Sequence, residues 1–184
     1  MSKILIFVFI LSSQLCFSQT LNDLDIKKGF RNFKFGMNPS QFKNLGLDNI
    51  NFNNNPKVKN YIYYGDDIEY VCNIKVDEIR LLFFEEKLCS ISIDFGNFVR
   101  SEEFKLQDYE KLLSYLEQTY GKDWVIAKKR PIIINGVIWD ATKVRLELFR
   151  LDSSKEDPQK KSLIRGYIHI FDKNLMNKIY SSEF

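Results

Sequence analysis

Three stretches of the chain alternate apolar and polar residues with a period of two. Cys89, Ile91, Ile93 and Phe95 alternate with Ser90, Ser92 and Asp94. Thr142, Val144, Leu146 and Leu148 alternate with Lys143, Arg145 and Glu147. In the last stretch Ile164, Gly166, Ile168 and Ile170 share one face, and Arg165, Tyr167 and His169 take the other. Successive side chains of a strand point to opposite faces, so this pattern predicts half-buried β-strands. Shorter β-like segments lie at 30–35, 61–64 and 79–84, and at 69–74, where Tyr70, Cys72 and Ile74 alternate with Glu69, Val71 and Asn73. Turn-forming residues at 65–67, 76–77 and 85–87 separate the middle group. That order predicts an antiparallel meander of 61–64, 69–74, 79–84 and 89–95. Further on, Asn135-Gly136 between Ile132-Ile133-Ile134 and Val137-Ile138-Trp139 predicts a hairpin with a type I′ turn.

Helical spacing is clearest at Tyr109, Leu112, Leu113, Leu116 and Tyr120, which form one apolar stripe and predict a helix over 104–120. Ser101, Glu102 and Glu103 give it an acidic start, and Gly121 supplies a stop. A second helix of about two turns is predicted after Asn38. Asn38 suits the N-cap, Pro39 the first helical position and Gln41 a capping box; Met37 and Phe42 suit a hydrophobic staple, and Gly46 ends the segment. Asp172 can cap a short C-terminal helix carrying Leu175, Met176 and Ile179 inside. Residues 20–29 read as a lead-in, and 48–58 and 152–161 as loops. Without repeats or a linker, residues 19–184 read as one α+β domain. The expected architecture is a two-layer sandwich, a mostly antiparallel sheet with the 104–120 helix packed on one face.

The N-terminus has a different pattern. Lys3 precedes an unbroken apolar run from Ile4 to Leu11, followed by Ser12, Ser13, Gln14, Leu15, Cys16, Phe17 and Ser18. One positive charge, a short apolar core and small residues near the end form the layout of a secretory signal. The run falls short of the roughly 20 apolar residues that span a bilayer. Cleavage is expected between Ser18 and Gln19, which makes residues 1–18 a signal peptide. Cys16 offers lipidation as an alternative fate, although Ser13, Gln14 and Leu15 stand where a lipobox has Leu followed by small residues. No later apolar run is long enough for a membrane span, so no transmembrane segment is expected in the mature chain.

Composition narrows the classes. Sixteen Phe and nine Tyr in 184 residues supply a sizeable core. The formal charge of +3 falls by one with the loss of Lys3 and does not suggest nucleic acid. Lys128-Lys129-Arg130 and Lys160-Lys161 are the densest basic spots, and solvated loops account for them. Past the leader only Cys72 and Cys89 remain. In the predicted meander a strand lies between them, which sets them about 9 Å or more apart. A disulfide needs Cα atoms within about 7 Å, so two buried free thiols are expected.

Motif chemistry is sparse. The single His of the chain, His169, reads as a half-exposed sheet residue, and a triad built on it would need a nucleophile and an acid that spacing does not reveal. One His and two separated Cys do not make a zinc site. Neither a phosphate loop, a dinucleotide Gly pattern nor a nucleophile elbow occurs, so no cofactor is expected. Asp66-Asp67 and Glu85-Glu86 are carboxylate pairs in turns and read as solvated. Tyr61, Tyr63, Tyr64, Trp124 and Trp139, on or beside strands, are the candidate binding patch.

The stretch Phe33-Lys34-Phe35-Gly36-Met37-Asn38-Pro39-Ser40-Gln41-Phe42-Lys43-Asn44-Leu45 resembles the aromatic-x-aromatic-Gly-Met opening of small exported bacterial α+β proteins. It is similar to outer-membrane assembly lipoproteins and to β-lactamase-inhibitor-like domains, and Phe84-Glu85-Glu86-Lys87-Leu88 is similar to a hairpin common among them. The resemblance implies a binding or scaffold module and carries over no catalytic residue. The expected role is therefore a non-enzymatic interaction module of the bacterial cell envelope, periplasmic or secreted, with an unknown protein partner. The alternative is a small secreted hydrolase with His169 in its site, and a third class is a carrier of a small ligand or lipid. N-terminal sequencing of native protein is expected to start at Gln19; an intact Met1 in a cytosolic fraction would remove the basis for export.

Overall fold

The computed structural model describes residues 20–48, 55–96, 102–155 and 164–181. Residues 1–18, expected to be a signal peptide, fall outside these residues, as do Ser101 and the basic pair Lys160-Lys161. The fold is α+β and mostly sheet. Helix α1 (Leu21–Lys27) leads into a small hairpin, β1 (Gly29–Phe30) and β2 (Phe33–Lys34). Strands β3 (Leu45–Leu47) and β4 (Val58–Tyr63) follow, then a second small hairpin, β5 (Tyr70–Val71) and β6 (Ile74–Lys75). Next come β7 (Glu78–Phe84), β8 (Lys87–Phe95) and helix α2 (Leu106–Tyr120). The chain ends with β9 (Val125–Ile126), β10 (Ile133–Asp140), β11 (Val144–Asp152), β12 (Ile164–Asp172) and helix α3 (Lys173–Ser181). Eight strands form one sheet in the order β3-β4-β7-β8-β12-β11-β10-β9, and every neighbouring pair is antiparallel.

Alternation gives this sheet two unlike faces. One carries Ile79, Leu81, Ile91, Ile93, Trp139, Val144, Leu146, Leu148, Ile168 and Ile170, all buried in a single cluster with Leu112, Leu116 and Tyr120 of α2 and Leu24 of α1. Trp139 sits fully inside it and donates its indole N–H to the Gly121 carbonyl at 2.9 Å, so the stop of α2 is also its anchor. Asp25 ties α1 to the sheet, accepting the backbone N–H groups of Lys143 and Val144 at 2.9 Å each. On the opposite face, among the described residues, Met176 and Ile179 of α3 pack on Val58, Phe84 and Cys89.

Several expectations hold. The stripe of α2 is as read, with Leu113 half-buried and the other four positions buried. Asp172 caps α3 through the Leu175 N–H at 2.9 Å. The turn expected at 85–87 is present, with Glu85 and Glu86 both at positive φ, as type I′ geometry demands.

Others need correction. The lead-in at 20–29 contains α1, and 30–35 is not one strand but the end of β1, a turn at Arg31-Asn32, and β2. The cap chemistry at Asn38 is present: its side chain accepts the Ser40 N–H at 3.0 Å and its own N–H reaches Gln41 Oε1 at 2.8 Å. Only a single 3-10 turn over Pro39–Gln41 follows, because Gly46 pairs with Ile62 in the edge strand β3. Segment 69–74 is not a strand of the meander but the β5–β6 hairpin, so β4 pairs directly with β7. Cys72 and Cys89 are both free, but only Cys89 is buried and Cys72 is half-buried, and the reason differs from the one expected. Cys72 packs against the main cluster on one side of the sheet, and a bulge between Leu82 and Phe83 turns Cys89 into the cluster on the other. Burial pushes the Cys89 thiol up to about 12. Finally, Asn135-Gly136 is no turn: both residues pair within β10, opposite Arg150 and Phe149. A Cβ on Gly136 would lie 2.6 Å from the Phe149 ring and 3.0 Å from the Ala127 methyl, so glycine here makes room for an aromatic neighbour.

Truncating Leu116, fully buried in the main cluster, to Ala is expected to cost about 2–5 kcal/mol in denaturant unfolding. Leu113→Ala, half-buried one turn earlier, is expected to cost distinctly less. Equal costs would mean that α2 does not present the 112–116 face to the sheet.

Candidate functional site

The incompletely covered face of the sheet gathers most of the polar chemistry. Strand alternation turns Glu78 and Arg80 of β7, Ser90, Ser92 and Asp94 of β8, Arg165, Tyr167 and His169 of β12, and Arg145 and Glu147 of β11 to this side. Register then sets them side by side: Glu147 lies opposite His169, His169 opposite Ser92, and Tyr167 opposite Asp94.

One line of contacts runs across four strands. Ser90 Oγ and His169 Nε2 share a hydrogen bond at 2.8 Å, and His169 Nδ1 lies 3.5 Å from Glu147 Oε2. The other carboxylate oxygen of Glu147 accepts from Arg145 Nε at 2.8 Å, and Arg145 Nη1 lies 3.8 Å from Asp140 Oδ2 on β10. Lys173, the first residue of α3, closes the line on Asp140 Oδ1 at 2.9 Å. His169 is flanked along its own strand by the rings of Phe171 and Tyr167, with centroids 4.8 and 5.7 Å away. Burial pushes the Glu147 carboxyl up, but the hydrogen bond and charge from His169, with the Arg145 guanidinium, outweigh it and hold Glu147 below its ordinary range.

A second group lies toward the other end of β8. Asp94 is buried and forms ion pairs with Arg165 and, at 4.0 Å, with Arg80, which also pairs with Glu78. Ser92 Oγ and the Tyr167 hydroxyl are 2.9 Å apart beside it. Desolvation outweighs both guanidinium groups and raises the Asp94 carboxyl above its ordinary range; burial raises Glu78 likewise, against Arg80.

Beyond Glu147 and Arg145 the same face opens into a pocket of about 470 Å³. Its apolar lining comes from Val125, Ile126, Ala127, Ile133, Ile138 and Phe149, and its charged lining from Lys128, Arg130, Asp140, Arg145 and Glu147. The β9 strand that borders it is only two residues long, which leaves Val125 60% and Ile126 79% exposed. Gly136 contributes by absence, since its missing side chain admits the Phe149 ring.

The order Ser90–His169–Glu147 has the connectivity of a nucleophile, a base and an orienting acid. Its surroundings are those of a closed sheet. Ser90 is 3% exposed and sits inside a strand paired on both sides, so its hydroxyl has no approach for a substrate. The two ladders also take up the main-chain N–H groups that an oxyanion hole would need. Among the described residues no group of three or more His, Cys, Asp or Glu side chains is placed to hold a metal ion, and no helix is long and apolar enough to cross a membrane.

The five aromatic residues singled out from sequence are not brought together. Tyr61 and Tyr63 lie on β4 against Phe83 and Phe33 of the core, and Tyr64 is exposed beside them. Trp139 is fully buried on β10, and Trp124 is half-buried with its N–H on Glu117 Oε1 at 2.9 Å. Five strand steps separate β4 from β10, on the order of 20 Å or more. His169 lies on the face expected for it. Glu147, Arg145 and Ser90 stood in the alternation patterns, but only the pairing of β12 between β8 and β11 makes them neighbours.

Compared with known proteins, the chain matches no family model, no curated protein and no solved structure.

Carboxyl NMR titration is expected to place Glu147 below its ordinary 4.5 and Asp94 above its ordinary 3.8. The signs differ in consequence. The stability Glu147 contributes is present above its unfolded pKa and lost as pH falls through its lower folded value. Asp94 binds its proton more tightly folded than unfolded, so its contribution declines as pH rises between the two values. In His169→Gln the Glu147 pKa is expected to rise; an unmoved value would remove His169 as its partner.

Proposed function

We propose that the protein is a non-enzymatic binding module of the bacterial cell envelope, exported and then freed of residues 1–18, that takes its ligand on the incompletely covered face of the sheet. The two-layer arrangement is part of this reading: α1 and α2 form the covering layer, and the other face is left for recognition. The observation that carries it is the pocket between β9, β10 and β11, with a volume of about 470 Å³. That size lies in the range of small-molecule sites, about 300–1,000 Å³. Its apolar walls offer burial, and the charged groups along its inner border offer orientation. The resemblance of 33–45 to small exported modules points the same way, as does a Ser90 hydroxyl too enclosed to act as a nucleophile.

A second reading is favoured by one specific contact. The 2.8 Å hydrogen bond between Ser90 and His169, with Glu147 behind, is the arrangement a serine hydrolase would use. That reading requires the strands around Ser90 to part.

Two variants separate the readings. Ile138→Trp fills the pocket, and Ser90→Ala removes the hydroxyl. Native mass spectrometry of protein taken from its own envelope fraction is expected to show one bound small molecule, retained in Ser90→Ala and lost in Ile138→Trp. Hydrolysis of p-nitrophenyl esters by the wild type that disappears in Ser90→Ala would overturn the binding reading in favour of the hydrolase.

A further inference from the structure

Every carboxylate in the pocket is already neutralised from within the fold. Glu147 is held by Arg145 at 2.8 Å and faces His169, while Asp140 is held by Lys173 at 2.9 Å and faces Arg145 at 3.8 Å. Two lining cations have no such partner. Lys128 and Arg130, on the segment between β9 and β10, form no ion pair among the described residues. Lys129, between them, is not part of the lining. Among the described residues the pocket thus has a cationic rim and no free anion to balance it.

The rest of the lining excludes other classes. It contains no hydroxyl, amide or imidazole side chain, the groups that recognise sugars and nucleobases by directed hydrogen bonds. It does contain three aliphatic side chains and one aromatic ring well placed for a hydrocarbon body, namely Ile126, Ile133, Ile138 and Phe149.

We infer that the pocket binds a free single-chain amphiphile with an anionic head, a carboxylate carried on an aliphatic or aromatic body. The head pairs with Lys128 and Arg130, and the body lies along Ile133, Ile138 and Phe149. This rests on the binding reading above and names its ligand class. The charge balance selects the head group, since a neutral head would leave two cations unused and a cationic one would meet them. The exposed Val125 and Ile126 form the outer wall and become covered when the body is seated.

Calorimetry with monomeric dodecanoate and its neutral counterpart dodecanol tests the inference on the full mature chain. Dodecanoate is expected to bind at one site and at least about tenfold more tightly than dodecanol, as charge-assisted contacts are stronger than neutral ones. Lys128→Gln and Arg130→Gln, both on an exposed segment that the fold does not lean on, are each expected to weaken dodecanoate severalfold and leave dodecanol unchanged. Ile138→Trp is expected to abolish both. Equal affinity for the two probes would overturn the anionic class while leaving the pocket as a binding site. Binding to phosphatidylglycerol vesicles without binding of the monomer would overturn it in favour of a membrane surface. Failure of both probes would overturn it too, and a small molecule still bound in native mass spectra would show that the wider binding reading survives.

Discussion

The pairing of β8 with β12 is the constraint on which the molecule depends. Residues 90–95 and 166–171 come from distant parts of the chain and join in one antiparallel ladder. On one side of that seam lie β3, β4 and β7; on the other lie β11, β10 and β9. Neither half closes a core alone. Ile91 and Ile93 must meet Ile168 and Ile170 before α2 has a continuous apolar surface to cover. Such a contact between distant segments pays a loop-closure cost before any burial repays it. Gly166 fits it closely: a Cβ there would stand 2.8 Å from the Phe104 ring, which packs across the end of the seam.

The seam that completes the core also assembles the polar face, because alternation sends every second residue the other way. Ile91 inward implies Ser90 and Ser92 outward, and Ile168 and Ile170 inward imply His169 outward. One ladder therefore fixes both the burial and the Ser90–His169–Glu147 line. The polar groups on this face carry an energetic cost, since Asp94 is almost fully removed from water and its raised pKa records that desolvation. Arg165 and Arg80 offset the penalty without cancelling it. A buried ion pair of this kind is weak evidence for stability, since apolar residues of similar volume often serve as well.

How much of this was legible in the sequence follows from the range of the interactions. The stripe on α2, the Asp172 cap and the alternation in β11, β12 and β8 from Ser90 onward depend on neighbours in the chain and stand as read; Cys89 does not, because the bulge opposite Leu82 and Phe83 turns it to the other face. The errors arose where a distant residue overrode a local signal. Asn135-Gly136 has the composition of a tight turn, but Phe149 takes the space above Gly136 and the strand runs on. The cap at Asn38 does initiate a turn, yet Leu45 and Leu47 find partners in β4 before a helix can extend. The aromatic residues were individually well placed near strands, but the register that scatters them between a buried core and opposite ends of the sheet is not local information. The same limit hid the pocket, whose lining spans 125–149 and whose form depends on how short β9 is.

A sheet with one face only partly covered must solve the problem of its own exposed surface. Here its parts are treated differently. Over one end of the central strands α3 lies on Val58, Phe84 and Cys89 and makes a small second core. Across the middle, paired charges and hydrogen-bonded hydroxyls replace apolar contacts. At the β9–β10 end neither remedy is applied: aliphatic side chains stay open to solvent beside two cations that form no ion pair among the described residues. A fold under selection for stability alone would extend α3 or place carboxylates there, as it does with Asp140 and Glu147 a few ångströms away. The uneven treatment of one continuous face is the physical ground of the proposal that this end receives a ligand.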